Sequence, residues 1–348
     1  MSKTMNIPIF IPHLGCENDC VFCNQKSISG TLKPLDEEAL REYIEASINT
    51  RGGRKVEIAF FGGSFTGLPL PLQKSYLDLA KEYVEKYDLQ GIRMSTRPDY
   101  INEEIMSFLK PYPIRVIELG VQSLDEEVLL QSKRNHSSQD VYQAIRFIRE
   151  SGIDLGLQMM LGLPGDSEEK IQRTAEEFIK IKPICIRIYP TLVIKGTELE
   201  KLYDEGKYVP LSLEQAVAIC AEILPKFVEA QIQVIRVGLQ ANDGLNSEEM
   251  IAGPYHPAFR ELVEDEMVFQ KIKNEVSHRK AEGKALVLST SKSMNQRIRG
   301  HKKANLQRIE ELAKWSYELV ADLKPNQIII QDPLIFGEEG RTVLSVFF

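Results

Sequence analysis

The sequence of 348 residues lacks the apolar run of about 20 residues that a membrane-spanning helix needs. Its first residues, Met1–Pro8, lack the pattern of a signal peptide. Internal repeats of solenoid length and low-complexity tracts are also missing. These absences favour a cytoplasmic globular protein with no membrane segment. At roughly 150 residues per domain, the length predicts two domains, or one large barrel with an appendage.

Cysteine is scarce, and its distribution excludes a disulfide framework. The chain has five cysteines, and three of them, Cys16, Cys20 and Cys23, lie close together. Such a triplet in a long chain indicates a metal site in a reducing compartment. Cys185 lies in a predicted strand and Cys220 in an apolar helix, so both are expected to be buried small hydrophobic residues.

The net charge of −7 hides a strong asymmetry along the chain. Residues 1–267 carry 29 Lys and Arg against 41 Asp and Glu, whereas residues 268–308 carry 11 against 2. A basic block in an acidic chain usually marks a polyanion contact or a solvated helix face. Nucleic acid is therefore one of the expected partners.

Short apolar, β-branched runs alternate with longer amphipathic stretches through the first part of the chain. Strands are predicted at 6–12, 56–61, 91–95, 116–121, 154–161 and 184–190, with helices between them. Most of these helices open with Asn, Ser or Asp followed by Glu, which suits a helix N-terminus. Six βα units in succession predict parallel strands covered by helices, hence a barrel or a doubly wound sheet.

Past residue 190 the alternation loosens, with a helix predicted at 213–230 and a strand at 233–238. From 284 the pattern restarts as a β-α-α-β-β unit, with elements at 284–289, 292–299, 304–318, 327–331 and 342–347. We therefore predict three parts: a barrel with its extension at 1–267, a helical connector at 268–283, and a small basic α/β domain at 284–348.

The cysteine spacing, C-x3-C-x2-C directly after the first predicted strand, suits an iron–sulfur cluster. Three thiolates on one tight loop can ligate three irons of a cubane and leave the fourth iron open. A ferredoxin cluster takes four cysteines, and a structural zinc site takes four protein ligands. A zinc site completed by His13 is therefore the alternative.

The triplet, with Phe22 before its third cysteine, resembles the signature of the radical S-adenosylmethionine superfamily. The resemblance continues at 60–65, 96–101, 118–123 and 161–165, near the ends of successive predicted strands. It implies an α/β fold with a partial (β/α)6 barrel of the TIM type. It also implies a [4Fe–4S] cluster that reductively cleaves S-adenosylmethionine to a 5′-deoxyadenosyl radical.

The resemblance assigns site residues one by one. The cluster is expected on Cys16, Cys20 and Cys23, and S-adenosylmethionine on Phe22, Gly62, Gly63, Ser64, Ser95, Gln122, Arg134 and Gln158. Glycines suit this role because no Cβ blocks a backbone contact, and active sites of α/β barrels lie at the carboxyl ends of strands. No catalytic residue is assigned, although Tyr189, His136 and His256 are candidate proton donors.

Within the superfamily, the chain is similar to the Elongator catalytic-subunit family, which modifies the wobble uridine of tRNA. The similarity covers about residues 6–240 and includes the run at 188–197. It implies a tRNA substrate, an RNA contact at Lys195, and an electron donor such as ferredoxin or flavodoxin. The acetyltransferase domain and the basic N-terminal extension of that family are not recognised in this sequence, so its acetyl-coenzyme A chemistry is not predicted.

The C-terminal unit resembles a KH module, in which a GxxG loop between two helices clamps a nucleic-acid backbone. The matching loop, 300–303, reads Gly-His-Lys-Lys, with Lys303 in place of the second glycine. Arg299, Lys302 and Lys303 are therefore expected to contact RNA. The alternative is a small α/β domain with a charged helix face.

Two other functions stay open. One is a radical enzyme acting on a small molecule such as a porphyrinogen, because oxygen-independent coproporphyrinogen oxidase has a similar barrel. The other is an RNA-binding protein with a structural or sensing cluster. The basic C-terminal unit, which a porphyrinogen would not need, favours RNA over the first, and formation of 5′-deoxyadenosine would exclude the second.

Overall fold

The computed structural model describes residues 4–11, 16, 20–23, 36–239, 249–278, 285–312, 314–319, 323–331 and 341–347. Contacts divide the chain into two compact units. The first contains Met1–Ser212 and Ile232–Tyr255, and the second contains Leu213–Gln231 and His256–Phe348. Within the described ranges, no helix has both the length and the apolar character needed to cross a membrane.

The first unit is built on a parallel sheet that curls into half of a barrel. Among the described residues, seven strands follow the order β1-β2-β3-β4-β5-β6-β8. They are β1 (Met5–Phe10), β2 (Val56–Phe61), β3 (Ile92–Thr96), β4 (Ile114–Gln122), β5 (Asp154–Leu161), β6 (Cys185–Pro190) and β8 (Gln233–Val237). The predicted partial barrel is confirmed, and the strand predicted at 233–238 completes the sheet.

Helices of the first unit connect these strands, as parallel pairing requires. They are α1 (Glu37–Asn49), α2 (Leu70–Tyr87), α3 (Glu103–Leu109), α4 (Glu126–Gln131), α5 (Ser138–Glu150), α6 (Glu168–Ile181) and α7 (Glu198–Asp204). Polar side chains fix where several of them begin: Ser137 and Asp140 form a reciprocal capping box on α5. Two short strands missed by the sequence, β7 (Val193–Ile194) and β9 (Met250–Ala252), pair antiparallel.

The second unit contains a sheet of four strands in the order β11-β10-β12-β13, as far as the structure describes it. Its helices are α8 (Leu213–Glu229), α9 (Phe259–His278), α10 (Lys292–Arg299) and α11 (Ala304–Leu312). Its strands are β10 (Ala285–Thr290), β11 (Lys314–Leu319), β12 (Gln327–Gln331) and β13 (Arg341–Ser345).

The predicted β-α-α-β-β order misses strand β11. A helix was predicted over 304–318, but α11 ends at Leu312 and the following residues pair parallel with β10. The segment Lys-Trp-Ser-Tyr-Glu-Leu alternates large apolar with polar residues, which is the period of a strand rather than a helix. The observed order is therefore β-α-α-β-β-β.

Helix α9 contains the segment that the sequence assigns to a connector. In the second unit, Val268, Ile272 and Val276 are buried in one hydrophobic cluster with Leu288 and Ile330 of the sheet. A helix that buries its apolar face in this way stabilises the unit it packs on. The domain limits at 267 and 284 stay a prediction.

Candidate cofactor site at the carboxyl ends of the strands

The described part of the cysteine loop is anchored through Val21. This residue is buried and packs with Val193, Leu199 and Tyr208 in a small hydrophobic cluster. Its amide donates to the carbonyl of Ser132 (3.2 Å), and its carbonyl accepts from the amide of Leu199 (2.8 Å). The segment that carries Cys20 and Cys23 is therefore held in place by residues of the first unit. His13, the alternative zinc ligand, lies outside the described residues.

Two arginines approach the sulfur of Cys20. Arg134 Nη1 donates to Cys20 Sγ at 3.3 Å, and Arg97 Nη1 donates at 3.6 Å. Burial opposes the charge of Arg97, but its bonds to the carboxylate of Asp99 (2.9 Å) outweigh it and raise its pKa. Positive charge at this position stabilises a thiolate, the form of cysteine that ligates iron.

A cavity of about 600 Å³ opens at the carboxyl ends of the strands. It is lined by all predicted cluster and cofactor residues: Cys16, Cys20, Cys23, Phe22, Gly62, Gly63, Ser64, Ser95, Gln122, Arg134 and Gln158. Within the described part of the chain, no three His, Cys, Asp or Glu side chains converge to hold a single metal ion. The three cysteines thus line the same cavity as the cofactor candidates.

The glycine turn after β2 brings backbone to the cavity wall. Gly62 has φ +97°, a conformation that side chains with a Cβ rarely adopt. A Cβ there would make only ordinary van der Waals contacts, with the ring of Phe10 at 3.4 Å and the carbonyl of Ile11 at 3.5 Å. The backbone conformation, rather than a lack of space, therefore favours glycine at Gly62, and Gly63 beside it lines the cavity.

Gln122 carries two signs of a binding residue. It has φ +70° at the irregular end of β4, and such left-handed conformations are costly for residues other than glycine. Its buried Oε1 atom has no hydrogen-bond partner within the described residues, and neither has buried Nε of Arg134. Buried polar atoms are almost always paired, so one orphaned acceptor and one orphaned donor beside the cavity fit a polar cofactor.

A ladder of buried charges crosses the inner face of the half-barrel below the cavity. Arg93 lies between two fully buried carboxylates and donates to Glu57 Oε2 and Glu118 Oε1, both at 2.9 Å. Arg187 also donates to Glu118, through Nε at 2.5 Å and Nη2 at 3.1 Å. Burial opposes ionisation of Glu118, but Arg187 and Arg93 outweigh it and lower its pKa. Glu118 is therefore ionised.

Gln158 connects this ladder to the cavity. Its Nε2 atom donates to Glu118 Oε2 (3.2 Å) and to Ser95 Oγ (3.4 Å). Both Gln158 and Ser95 line the cavity. The ionised carboxylate of Glu118 therefore contacts the cofactor candidate Gln158 directly, and Gln158 in turn contacts the candidate Ser95.

The remaining predicted residues differ in whether they line this cavity. Tyr189 lines the cavity, but Lys195 is an exposed residue outside its lining. His136 is buried, and burial together with Arg134 and Arg97 lowers its pKa to about 3, so it is neutral at physiological pH. Burial also lowers the pKa of His256 in the second unit.

Sequence reasoning missed three arginines of the cavity wall, Arg97, Arg187 and Arg236. Arg187 and Arg236 are paired in register on neighbouring strands β6 and β8. A charged residue inside an otherwise apolar strand is the signal that would have found them. Such a residue is rarely buried without a partner or a task.

The basic loop of the second unit differs in detail from the sequence prediction. Lys302 and Lys303 are exposed and have φ values of +51° and +67°. Lys303 thus has the backbone conformation that glycine favours, at the position of the second glycine of a GxxG loop. Two of the flanking cations are neutralised by α9: Arg308 pairs with Glu266 at 2.5 Å, and Arg297 with Asp265 at 3.3 Å.

The fold and the site together define an α/β half-barrel protein with a three-cysteine cluster loop and an adjoining cofactor cavity. A comparison with protein families gives this class a name. Residues 10–178 match the Radical SAM superfamily, and residues 183–268 match the Radical_SAM C-terminal domain. The chain belongs to the radical S-adenosylmethionine superfamily. This confirms the expectation of an enzyme whose cofactors are a [4Fe–4S] cluster and S-adenosylmethionine.

Relatives are similar over the barrel. A tRNA uridine(34) acetyltransferase of Methanocaldococcus infernus is 33% identical over 198 residues, which are 50% of this chain and 37% of that one. Human Elongator complex protein 3 is 28% identical over 255 residues, 64% of this chain and 46% of that one. The chain thus spans less than half the length of these two relatives. The predicted similarity to Elongator is confirmed for the radical region.

A solved structure agrees on the fold. The archaeal Elp3 of Methanocaldococcus infernus, with an N-terminal deletion, superposes with a TM-score of 0.60 at 24% identity. The match covers 78% of this chain and 64% of that chain. It supports the half-barrel architecture of the first unit.

Proposed function

We propose that this protein is a radical S-adenosylmethionine enzyme that modifies RNA, with tRNA as its substrate. The observation that carries the proposal is the single cavity that gathers the cysteine triplet and all eight cofactor candidates. The identity to a tRNA uridine(34) acetyltransferase over the same region supports tRNA as the substrate class.

The residues of the site have distinct roles in this proposal. Cys16, Cys20 and Cys23 hold the cluster, and Arg97 and Arg134 offset the negative charge that three thiolates bring. When bound, the cluster and S-adenosylmethionine supply an electron and a 5′-deoxyadenosyl group able to abstract a hydrogen atom. The chain orients the cofactor and keeps water away from the reacting centre.

Cofactor contacts follow from the polarity of each atom. The backbone of Gly63 is open to the methionine end, as the superfamily's glycine motif implies. Gln122 Oε1 accepts a hydrogen bond from the cofactor and Arg134 Nε donates one, because both atoms are buried without partners in the described structure. Ser95 and Gln158 contact the nucleoside.

RNA contacts are proposed on both units. Lys195, exposed beside β7, contacts RNA in the first unit. Arg299, Lys302 and Lys303 contact its phosphates in the second, where the lysines lie on an exposed loop between two helices. The reaction also needs an external electron donor such as ferredoxin or flavodoxin.

The test is to reconstitute the cluster anaerobically, reduce it, and measure 5′-deoxyadenosine with and without tRNA. We expect product formation that depends on Cys16, Cys20 and Cys23 and rises when tRNA is added, together with a mass change in the tRNA. A porphyrinogen substrate is the control for the small-molecule alternative.

The outcomes separate the three functions. If no 5′-deoxyadenosine forms although the cluster is complete, the cluster is structural or sensing and the enzyme proposal is wrong. If it forms but neither its rate nor the mass of the tRNA changes when RNA is present, the substrate is a small molecule.

A further inference from the structure

Glu118 accepts at least four hydrogen bonds in the interior of the half-barrel. Oε1 accepts from Arg93 (2.9 Å) and Arg187 Nη2 (3.1 Å), and Oε2 accepts from Arg187 Nε (2.5 Å) and Gln158 Nε2 (3.2 Å). The carboxyl group is completely buried and ionised. An ionised carboxylate only accepts hydrogen bonds. Glu118 therefore dictates which end of the Gln158 amide faces it.

The NH2 group of Gln158 has two hydrogens, and both are used within the protein. One points to Glu118 Oε2 and the other to Ser95 Oγ at 3.4 Å. The carbonyl Oε1 is the remaining polar atom of the amide, and it can only accept. The hydroxyl oxygen of Ser95 already accepts from Gln158, so its O–H is left to donate.

We infer that Glu118 is a positioning residue that sets the polarity of the cofactor-facing pair, so that Gln158 presents an acceptor and Ser95 a donor. This inference rests on the proposed contact of both residues with the nucleoside. Because Gln158 presents an acceptor, the ligand group that contacts it must be an N–H or O–H donor. The nucleoside of S-adenosylmethionine offers three such groups: the 6-amino group and the two ribose hydroxyls.

The packing around Glu118 leaves it little room for another arrangement. Gly156, its neighbour in register on β5, has no side chain, and a Cβ there would lie 2.8 Å from Glu118 Cγ. The two arginines fix the carboxylate from the other sides. The Gln158 amide thus faces a fixed negative charge. Rotating the amide by half a turn would place its oxygen next to the carboxylate, where the two would repel each other.

The chain provides a matched control for this role. Glu57 is equally buried and also accepts from Arg93 at 2.9 Å, but it has no contact with Gln158 within the described residues. Glu57→Gln and Glu118→Gln each deprive the same arginine of a negative partner, so both should lower the melting temperature. Only Glu118→Gln frees the Gln158 amide to rotate.

The experiment measures dissociation constants of the reconstituted protein for S-adenosylhomocysteine and for three analogues. Each analogue lacks one donor: the form with hydrogen in place of the 6-amino group, the 2′-deoxy form and the 3′-deoxy form. For the wild-type chain we expect one analogue to bind roughly tenfold more weakly, the effect of one buried hydrogen bond. The same loss should persist in Glu57→Gln and largely vanish in Glu118→Gln and in Gln158→Met.

A second measurement needs neither cofactor nor RNA. In the cofactor-free wild-type chain, the side-chain NH2 of Gln158 should exchange its hydrogens with solvent much more slowly than that of Gln143, an exposed residue. The Gln158 signal is assigned in NMR spectra by its loss in Gln158→Met. This measurement tests whether the Gln158 NH2 group is held within the protein, and it can be made even if Glu118→Gln does not fold.

Two results would overturn the inference: fast exchange of the Gln158 NH2, or an analogue preference that is equal in the wild-type chain and Gln158→Met. If Glu57→Gln and Glu118→Gln lost the analogue preference equally, both substitutions would be acting through stability alone, and this too would contradict the inference. Failure of the proposed function gives a different pattern, in which 5′-deoxyadenosine or tRNA modification is missing while Gln158 stays protected.

Discussion

Reversing the charge of Lys302 and Lys303 tests whether the loop at 300–303 binds RNA. Both side chains are exposed, and both backbones have left-handed φ values that set the loop apart from the helices on either side. Replacing both lysines with Glu should weaken tRNA binding by the full-length protein. Glutamate keeps the size of the exposed side chain roughly similar, so the folded structure should persist.

The expected magnitude follows from counting the cations that lack a carboxylate partner. Arg297 and Arg308 pair with acidic residues of α9, whereas no ion pair to Arg299, Lys302 or Lys303 is found in the described ranges. Each phosphate contact contributes about −0.7 to −0.9 to the slope of log affinity against log salt. Removing two of three contacts should therefore flatten the slope by roughly one to two units.

The assay is a titration of tRNA with the full-length protein at several salt concentrations. From 50 to 200 mM salt, the three loop contacts by themselves contribute a roughly 30-fold loss of affinity, and the one loop contact left in the variant contributes about threefold. The control is Lys273→Glu with Lys324→Glu, which makes the same change of net charge at exposed positions outside the loop. An unchanged slope in the loop variant, or an equal change in the control, would refute a phosphate role for the loop.

Other perturbations test the rest of the molecule. Changing any cysteine of the triplet to Ala should abolish the cluster's broad visible absorbance, whereas Cys185→Ala should keep it; a triplet variant with a full cluster would contradict the assignment. Gly63→Val should keep the cluster but weaken S-adenosylmethionine binding, and an unchanged dissociation constant would exclude a backbone role. Burial raises the pKa of Asp166 to about 6, despite hydrogen bonds from the Gly162 and Ser167 amides. Because this folded pKa exceeds the unfolded value near 3.8, ionisation costs stability as pH rises from 4 to 7. The stability of Asp166→Asn relative to the wild-type chain should thus increase over that range, by up to about 3 kcal/mol. A difference in unfolding free energy that stays constant with pH would contradict this.

Local sequence features were enough to select candidate cofactor residues that line one cavity. The cysteine spacing, the glycines after β2, and polar residues such as Gln122 and Gln158 at strand ends are all short-range signals. Parallel strands bring their carboxyl ends to one edge of a sheet, so residues far apart in sequence were expected at one site. The cavity lining confirms that they lie together.

Features that depend on long-range pairing were not predictable in this way. The partners of Glu118 come from three other strands, and nothing near it in sequence shows that Arg93 and Arg187 neutralise it. Likewise, Arg297 and Arg308 of the basic block are neutralised by acidic residues about 30 to 40 positions away in sequence. Strand β11 was missed because a short alternating segment follows directly on a helix.

The anchoring of Val21 has a consequence for how the cluster is replaced after oxidative damage. Because Val21 is fixed by hydrophobic packing and by two backbone hydrogen bonds, its position does not depend on iron. A chain that has lost its cluster should therefore keep Cys20 and Cys23 close to their ligating positions, with Arg97 and Arg134 still beside the Cys20 sulfur. Rebuilding the cluster should then require little rearrangement of this part of the loop.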